Sequence, residues 1–206
     1  TLTVSPARTE TGEQVVVVTG ESRLYNNTKT GEKRVHLLPK GSHLMVKEGD
    51  NVNPGDILAE YDPAYEYVVC HRSGVARFFG LDLVTRKSRS KKGTEVYTQT
   101  DGEIFVNNPD KEREYEIYSS LTEDYRVGDR IKVGTEIAQA KTLDVGGIIA
   151  RFEDIPGQSK KKTKNLMVKM VIVPGESYPV LSGARLFASE GDRVREGDIL
   201  ARERVG

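Results

Sequence analysis

The sequence predicts an all-β fold made of small barrel or sandwich modules. Short β-rich segments are separated by glycine, proline or asparagine, no stretch keeps a capped 3.6-residue apolar period, and one glycine–aspartate motif recurs three times. The predicted strands are 15–19, 67–70, 75–79, 96–98, 104–106, 167–173 and 186–188.

The repeated motif predicts a chain of three modules. It reads EGDNVNPGDILAE at 48–60 (the first copy), VGDRIKVGTEIAQ at 127–139 (the second copy) and EGDRVREGDILAR at 190–202 (the third copy). Similar flanking stretches, VVVVTGES with MVIVPGES and GVARF with GIIARF, extend the repeat. Because each unit ends shortly after its motif, we expect modules at 1–63, 64–141 and 142–206.

Each motif copy is predicted to contain two turns. Glycine tolerates a positive φ, and the carboxylate of a neighbouring aspartate accepts hydrogen bonds from nearby backbone amides. The turn residues are Gly49, Asp50, Gly55, Asp56, Gly128, Asp129, Gly134, Gly191, Asp192, Gly197 and Asp198. Val52 points inward between the first two turns, and Ile57 starts a strand. Aspartates could instead be paired acids or metal ligands, but their place beside glycine in matched turns favours a structural role.

Composition limits the classes of function. Lysine plus arginine and aspartate plus glutamate number 31 each, so no overall charge draws the chain to nucleic acid or to an anionic membrane. An apolar fraction of 36% suits small modules better than one large core. One cysteine excludes an internal disulfide, and no run approaches the roughly 18 apolar residues of a membrane span. We therefore expect a soluble intracellular protein.

Histidine and cysteine give no catalytic pattern. His36, His43 and His71 are not spaced as metal ligands. Cys70 and His71 are neighbours on a predicted strand, so their side chains point to opposite faces and cannot form a nucleophile–base dyad. Cys70 is predicted to be a buried structural residue.

Two basic runs, RKSRSKK at 86–92 and KKKTK at 160–164, are the candidate contacts to nucleic acid. Most such runs are solvated loops, and acidic stretches such as DKEREYE at 110–116 balance these two. We expect at most weak, salt-sensitive DNA binding. The candidate residues are Arg86, Lys87, Arg89, Lys91, Lys92, Lys160, Lys161, Lys162 and Lys164.

Longer stretches resemble a known family. LLPKGSHLMVKEGDNVNPGDILAEYDP at 37–63 and VLSGARLFASEGDRVREGDILARE at 180–203 resemble the sandwich-barrel hybrid repeats of the bacterial RNA polymerase β′ subunit. VVTGESRLYNN and CHRSGVARFFG resemble the large trigger-loop insertion, which in cyanobacteria and plastids belongs to the C-terminal piece of the split subunit. The resemblance spans essentially the whole chain and implies tandem sandwich-barrel hybrid modules.

The resemblance implies a part of a nucleotidyltransferase that synthesises RNA on DNA, in the cytoplasm or the plastid stroma. The N-A-D-F-D-G-D motif, the trigger-loop helices and the zinc-binding cysteines are absent from this sequence. We therefore expect no catalytic, cofactor-binding or metal-binding residues in this chain. The magnesium and zinc of the whole polymerase would be held by residues outside it. The implied role is mechanical, biasing trigger-loop folding through other polymerase subunits and the sigma factor, with no membrane contact.

Two alternatives use similar glycine–aspartate hairpins. In biotinyl and lipoyl carrier domains the modified lysine lies at a hairpin tip a few residues after the motif, and MVKM at 167–170 resembles that lysine's tetrapeptide. Lys169, however, precedes its nearest motif by more than twenty residues, which favours a strand residue with its charge turned outward. The other alternative is a hammerhead-containing adaptor resembling periplasmic efflux subunits, although the coiled-coil heptads usual in them are missing.

Overall fold

The computed structural model describes residues 4–8, 14–18, 20–88, 93–157 and 166–205, with side chains described only from residue 16 onwards. This part of the chain is all-β, as the sequence predicts, and its only helix is a single 3₁₀ turn at Ser119–Glu123. In these ranges no helix is long and apolar enough to cross a membrane.

The strands are mostly short, as expected where turn residues interrupt the chain every few residues. In order they are β1 (Val4–Arg8), β2 (Gln14–Val18), β3 (Ser22–Asn27), β4 (Lys33–Leu38), β5 (His43–Leu44), β6 (Ala59–Glu60), β7 (Tyr65–Val69), β8 (Gly74–Phe79), β9 (Leu83–Lys87), β10 (Thr94–Thr98), β11 (Gly102–Asn107), β12 (Arg113–Tyr118), β13 (Arg130–Ile131), β14 (Glu136–Ala138), β15 (Lys141–Thr142), β16 (Gly147–Asp154), β17 (Met167–Val180), β18 (Arg185–Leu186), β19 (Arg193–Val194) and β20 (Ile199–Arg204).

The chain divides into two compact units, and the boundaries fall inside strands β11 and β17. Unit 1 is Thr1–Ile104 with Tyr178–Gly206, and unit 2 is Phe105–Ser177. The first and third motif copies therefore belong to unit 1, and the second copy belongs to unit 2. The three-module division at 1–63, 64–141 and 142–206 remains a prediction.

Unit 1 contains a four-stranded sheet in the order β1-β2-β5-β6 and a five-stranded sheet in the order β7-β20-β18-β10-β9. Strands β3 and β4 form a separate two-stranded hairpin, and β19 pairs with β8. Val17, Phe187 and Ile199 form a buried cluster against Tyr67. Apolar residues from both ends of the sequence thus share one core, which gives this unit its long-range contacts.

Unit 2 is organised around the long strand β17, which pairs with β12 on one side and with β16 on the other. Strand β13 extends this sheet beside β16, while β14 and β15 form a short hairpin. The core is a cluster of fully buried apolar side chains from these strands: Ile117, Ile131, Ile137, Leu143, Ile149, Met170 and Ile172. Burying such side chains contributes about 1.5–3 kcal/mol each, an upper range for this sheet core.

The strand predicted to start at Ile57 begins two residues later. Strand β6 covers only Ala59–Glu60, although the equivalent strand of the third copy, β20, begins at Ile199, the counterpart of Ile57. Strand β20 pairs with both β18 and β7, whereas β6 pairs with β5 alone. The first copy therefore has both turns of the repeat, but the strand that follows them is shorter and pairs with fewer strands.

Candidate functional site

The glycine–aspartate turns share one hydrogen-bonding geometry. At the first turn of the first copy, Asp50 Oδ2 accepts the backbone N–H of Lys47 at 2.8 Å, and the carbonyl of Lys47 accepts the backbone N–H of Asp50 at 3.1 Å. Gly49 lies between them with φ +89°, a value that favours glycine. The carboxylate therefore closes a four-residue turn and is not directed at a ligand.

The same arrangement recurs in all three copies. The second turn of the first copy joins Asn53 to Asp56, with Pro54 and Gly55 at the central positions that a type II turn favours. The other aspartate turns join Arg126 to Asp129, Ser189 to Asp192 and Arg195 to Asp198, each with a 2.8 Å bond from a backbone N–H to the carboxylate. Glycines 128, 191 and 197 have φ between +87° and +94°.

The second turn of the second copy has a different side chain. Thr135 replaces the aspartate, and its hydroxyl donates to the carbonyl of Lys132 at 2.7 Å instead of accepting from the Lys132 amide. Gly134 keeps the positive φ of +87°. The turn backbone therefore requires the glycine but not the carboxylate.

Two further turns of this type are not predicted from the sequence. Gly41 and Gly183 have φ of +93° and +89°, and the following residues Ser42 and Ala184 close their turns through backbone bonds to Pro39 and Leu181. The signal was present in the similar stretches KGSHL and SGARL. It lacks aspartate, which is why a search centred on glycine–aspartate pairs does not find it.

Cys70 and the histidines have structural surroundings. Cys70 is 1% exposed, and its Sγ donates to the carbonyl of Arg72 at 2.8 Å. The backbone N–H of His71 donates to the Tyr178 hydroxyl at 2.8 Å. His36 Nε2 lies 2.8 Å from Asn26 Oδ1, across the β3–β4 hairpin.

The two basic runs lie mostly outside the described residues. Arg86 and Lys87 end strand β9, and the Arg86 guanidinium stacks over the Tyr97 ring with 4.6 Å to its centroid. Both residues are exposed. The candidates outside the described residues are Arg89, Lys91, Lys92, Lys160, Lys161, Lys162 and Lys164.

A half-buried polar cluster lies on the five-stranded sheet of unit 1. Arg185 Nη1 is 3.4 Å from Glu95 Oε1, with side-chain exposures of 11% and 22%. The Tyr97 hydroxyl donates to Glu95 Oε2 at 2.6 Å. Burial, reinforced by the Glu95 carboxylate, raises the pKa of Tyr97, so this phenol stays protonated at neutral pH. The cluster joins Arg185 of strand β18 to Glu95 and Tyr97 of the neighbouring strand β10.

Unit 2 has an exposed network of ion pairs. Arg151 binds both carboxylate oxygens of Glu112, at 2.8 and 2.9 Å, and also contacts Glu153. These hydrogen bonds hold the pKa of Glu112 below its usual value. Lys169 Nζ lies 3.5 Å from Glu114 and 3.9 Å from Glu153. Solvent screens exposed pairs of this kind, so they add little to stability.

The position of Lys169 bears on the carrier-domain alternative. The residue is the third of the fourteen in strand β17, and its backbone is paired with β12 and β16 on both sides. It does not lie at a hairpin tip, where a modified lysine must reach a distant active site. Its ammonium group is directed to neighbouring carboxylates.

Across residues 4–8, 14–18, 20–88, 93–157 and 166–205, no group of three or more histidine, cysteine, aspartate or glutamate side chains is placed to hold a metal ion. Asp50 and Asp56 use their carboxylates on turn amides.

Comparison with known proteins gives a relationship over most of the chain. The chain is 25% identical, over an alignment of 229 positions, to the DNA-directed RNA polymerase subunit beta' of Salinibacter ruber, covering 92% of this chain and 16% of that protein. It is similar to one segment of the RNA polymerase β′ subunit. The subunits of the same name from Pseudomonas paraeruginosa and Pseudomonas aeruginosa are 27% identical over 172 residues, covering 83% of this chain and 10% of theirs.

The chain thus spans 10% to 16% of the length of these relatives. No family model matches it. The motifs also resemble those of DNA-directed RNA polymerase. The similarity to the β′ subunit agrees with that link.

Proposed function

We propose that this chain is a non-catalytic segment of the β′ subunit of a DNA-directed RNA polymerase. The observation that carries the proposal is the alignment with β′ subunits, which includes 83% to 92% of this chain but only 10% to 16% of theirs. A segment of this kind belongs to a nucleotidyltransferase without itself performing nucleotide addition. The magnesium and zinc of such an enzyme would be held by residues outside this chain.

Within that subunit, we propose that the segment is the trigger-loop insertion built of sandwich-barrel hybrid repeats. Its three glycine–aspartate copies with matching turn geometry support this finer assignment. An insertion attached to an element with two conformations biases their equilibrium only if its contacts differ between them. Coupling of this kind amounts to about 1–3 kcal/mol, enough to change pausing without taking part in chemistry.

The proposed contacts are with protein rather than with DNA. Exposed apolar side chains are concentrated in the first part of unit 1, and they include Val35, Leu37, Met45 and Ile57. Partners of such a surface would be other polymerase subunits and the sigma factor, in the cytoplasm or the plastid stroma. The basic runs at 86–92 and 160–164 add at most a weak attraction to DNA.

Co-purification tests the assignment to the polymerase. The protein would be tagged at its own locus and purified, and its companions identified by mass spectrometry. We expect the other polymerase subunits in equal amounts and DNA-templated RNA synthesis in the eluate. Recovery without polymerase subunits, or with a biotinyl or lipoyl mass added to Lys169, would favour the carrier alternative.

The position within β′ has a separate test. Reading the coding sequence on both sides of residues 1–206 should give the two helices of a trigger loop. Flanking sequence from another part of β′ would leave the polymerase assignment intact and remove the insertion assignment.

A further inference from the structure

In the third copy, each turn holds one residue from a distant part of the sequence by two backbone hydrogen bonds. The Gly197 N–H donates to the carbonyl of Cys70 at 2.7 Å, and the Cys70 N–H donates to the carbonyl of Asp198 at 2.8 Å. The Gly191 turn holds Ala76 in the same way, at 2.7 and 2.8 Å. We call this two-bond arrangement a clasp.

The second copy makes the same two clasps within unit 2. The Gly128 turn holds Ile149 through bonds of 2.8 and 2.9 Å, and the Gly134 turn holds Leu143 through two bonds of 2.8 Å. In both copies the first turn binds the residue that comes later in the sequence, Ala76 or Ile149. The second turn binds the residue six positions before it, Cys70 or Leu143. The clasped strand therefore runs antiparallel to the motif in each case.

The register between the clasps is also identical. Arg193 and Val194 pair with Val75 and Gly74, and at the equivalent positions β13 pairs with β16, Ile131 facing Gly147. The clasped segments are thus 69–76 (VCHRSGVA) and 142–149 (TLDVGGII), both with glycine at the sixth position. Each is an eight-residue segment with a bend, at 71–72 or at 144–145, followed by a strand that starts at the glycine and pairs with the motif copy.

The first copy has both turns and no clasped segment. Among the described residues, no backbone hydrogen bond reaches from Gly49, Asp50, Gly55 or Asp56 to another strand, although the bonds that close the two turns are present. Residues 51–52, the counterparts of strands β13 and β19, form no strand.

The apolar side chains of the first copy show the same difference. Ile57 is 60% exposed, whereas its third-copy counterpart Ile199 is 2% exposed. Met45 is 50% exposed, whereas its counterpart Phe187 is 5% exposed. Two large side chains at positions that are buried in the third copy are thus exposed to water, beside turns that hold no strand among the described residues. Exposed apolar side chains next to such turns are typical of a surface that binds a strand.

We propose that residues 45–60 bind a glycine-containing segment of a partner polypeptide, with the bend-then-strand shape of 69–76 and 142–149. The partner strand would run antiparallel to the motif, with one residue held by the Gly55 turn and the residue six positions later held by the Gly49 turn. Its glycine would face Val52, as Gly147 faces Ile131 and Gly74 faces Val194. Main-chain bonds would supply much of the affinity, and Met45 and Ile57 would be covered.

The occupant is a partner polypeptide rather than a second copy of this chain. The two segments of this sequence that fill such turns, 69–76 and 142–149, are already clasped by their own motif copies. A second copy could supply one only by breaking two clasps and the strand pairing between them. The proposal does not depend on the assignment to RNA polymerase, since it follows from comparing three copies within one chain.

A synthetic decapeptide with the sequence of residues 141–150 (KTLDVGGIIA) is the probe. Added to the full chain, it should bind at one site and slow amide exchange at Gly49 and Gly55 at least about tenfold when saturating. A peptide N-methylated at the positions of Leu143 and Ile149 keeps the side chains but lacks the two clasped N–H groups. It should bind at least about tenfold more weakly.

Protein variants locate the site. Ile57→Asp places a charge on the proposed surface and should reduce binding at least about tenfold, whereas Val133→Asp, at a residue 65% exposed in unit 2, should leave binding unchanged. Both side chains are exposed, and unchanged circular dichroism would show that the variants fold. No binding up to millimolar peptide, or binding insensitive to Ile57→Asp, would overturn the proposal. Peptide-free self-association that protects Gly49 and Gly55 would also overturn it, in favour of a second copy.

Discussion

Asp198 and Arg195 are joined by two hydrogen bonds that run in opposite directions. Asp198 Oδ2 accepts the Arg195 backbone N–H at 2.8 Å, and the Arg195 carbonyl accepts the Asp198 backbone N–H at 3.0 Å. The same residue pair shapes the turn whose Gly197 N–H binds Cys70. A local side-chain contact thereby orients a backbone group for a contact between distant parts of the sequence.

Replacing Asp198 with alanine should lower the free energy of unfolding by about 0.5–1.5 kcal/mol, because the Arg195 amide loses its protein acceptor. Asp198→Asn keeps an oxygen at the same position and should lose less than half as much. Urea denaturation of the two variants and the parent chain measures both values. Equal losses for the two variants would mean that the carboxylate acts through its charge and not as a hydrogen-bond acceptor.

Gly191→Ala should destabilise the protein through backbone strain alone. Gly191 has φ +87°, and an added Cβ would meet no atom within 4 Å. A left-handed conformation costs a residue with a Cβ about 1–2 kcal/mol. Gly20→Ala is the matched control, because Gly20 also has open space around it but no positive φ, and it should change stability by less than about 0.5 kcal/mol. Similar denaturation midpoints for the two variants would contradict the role given to positive φ.

The titration of the Asp144 carboxyl should depend on the Tyr115 hydroxyl. The Tyr115 hydroxyl donates to Asp144 Oδ1 at 2.6 Å, and this bond is the main cause that lowers the pKa of Asp144 below its ordinary value of 3.8. A lowered pKa in the folded state means that Asp144 contributes stability above pH 3.8, which is lost as the pH falls through the lowered value.

Tyr115→Phe should therefore raise the pKa of Asp144 and weaken the dependence of stability on pH below about 4. Carbon-detected NMR titration of the aspartate carboxyl groups measures the first effect, and acid unfolding curves measure the second. Tyr97→Phe removes a tyrosine hydroxyl that donates to Glu95 instead, and should leave Asp144 unchanged. An unaltered Asp144 titration in Tyr115→Phe would contradict the assignment.

DNA binding by the isolated chain should be weak and sensitive to salt. Each phosphate neutralised by lysine or arginine adds about 0.9 to the slope of log affinity against log salt concentration. Fluorescence anisotropy with a labelled duplex should show binding at about 50 mM salt that is nearly abolished at about 200 mM. Replacing both lysines at 91 and 92 with alanine should reduce the slope by about two, and tight binding that persists at about 200 mM would show a specific site.

The sequence predicted the fold class and the position of the turns because both depend on neighbouring residues. Glycine beside aspartate specifies a turn over four residues, and alternation of apolar residues specifies a strand over about five. The structure places most of the predicted strands where the sequence predicts them, although the strand expected at 186–188 covers Arg185–Leu186 and the strand expected at Ile57 starts later. That strand is shortened at its start, to Ala59–Glu60.

The clasps of the third copy could not be predicted because each joins residues far apart in sequence. Gly197 binds Cys70, and Gly191 binds Ala76, more than one hundred residues away in both cases. Sequence similarity between the three motif copies also suggested equal surroundings, yet Ile57 is 60% exposed and Ile199 is 2% exposed. A motif specifies its own turns, whereas its burial depends on whether a complementary strand is present.

Deletion from the intact polymerase tests the proposed function most directly. The enzyme that contains this chain would be prepared with residues 1–206 replaced by a short glycine–serine linker, and its assembly verified by subunit composition. Single-nucleotide addition, pausing, transcript cleavage and promoter-complex lifetime would then be measured beside the parent enzyme. The account predicts that nucleotide addition continues while pausing, cleavage or promoter complexes change, by up to about 150-fold for a coupling of this size. Loss of all RNA synthesis in a normally assembled enzyme would contradict it, since a residue of this chain would then have to take part in catalysis.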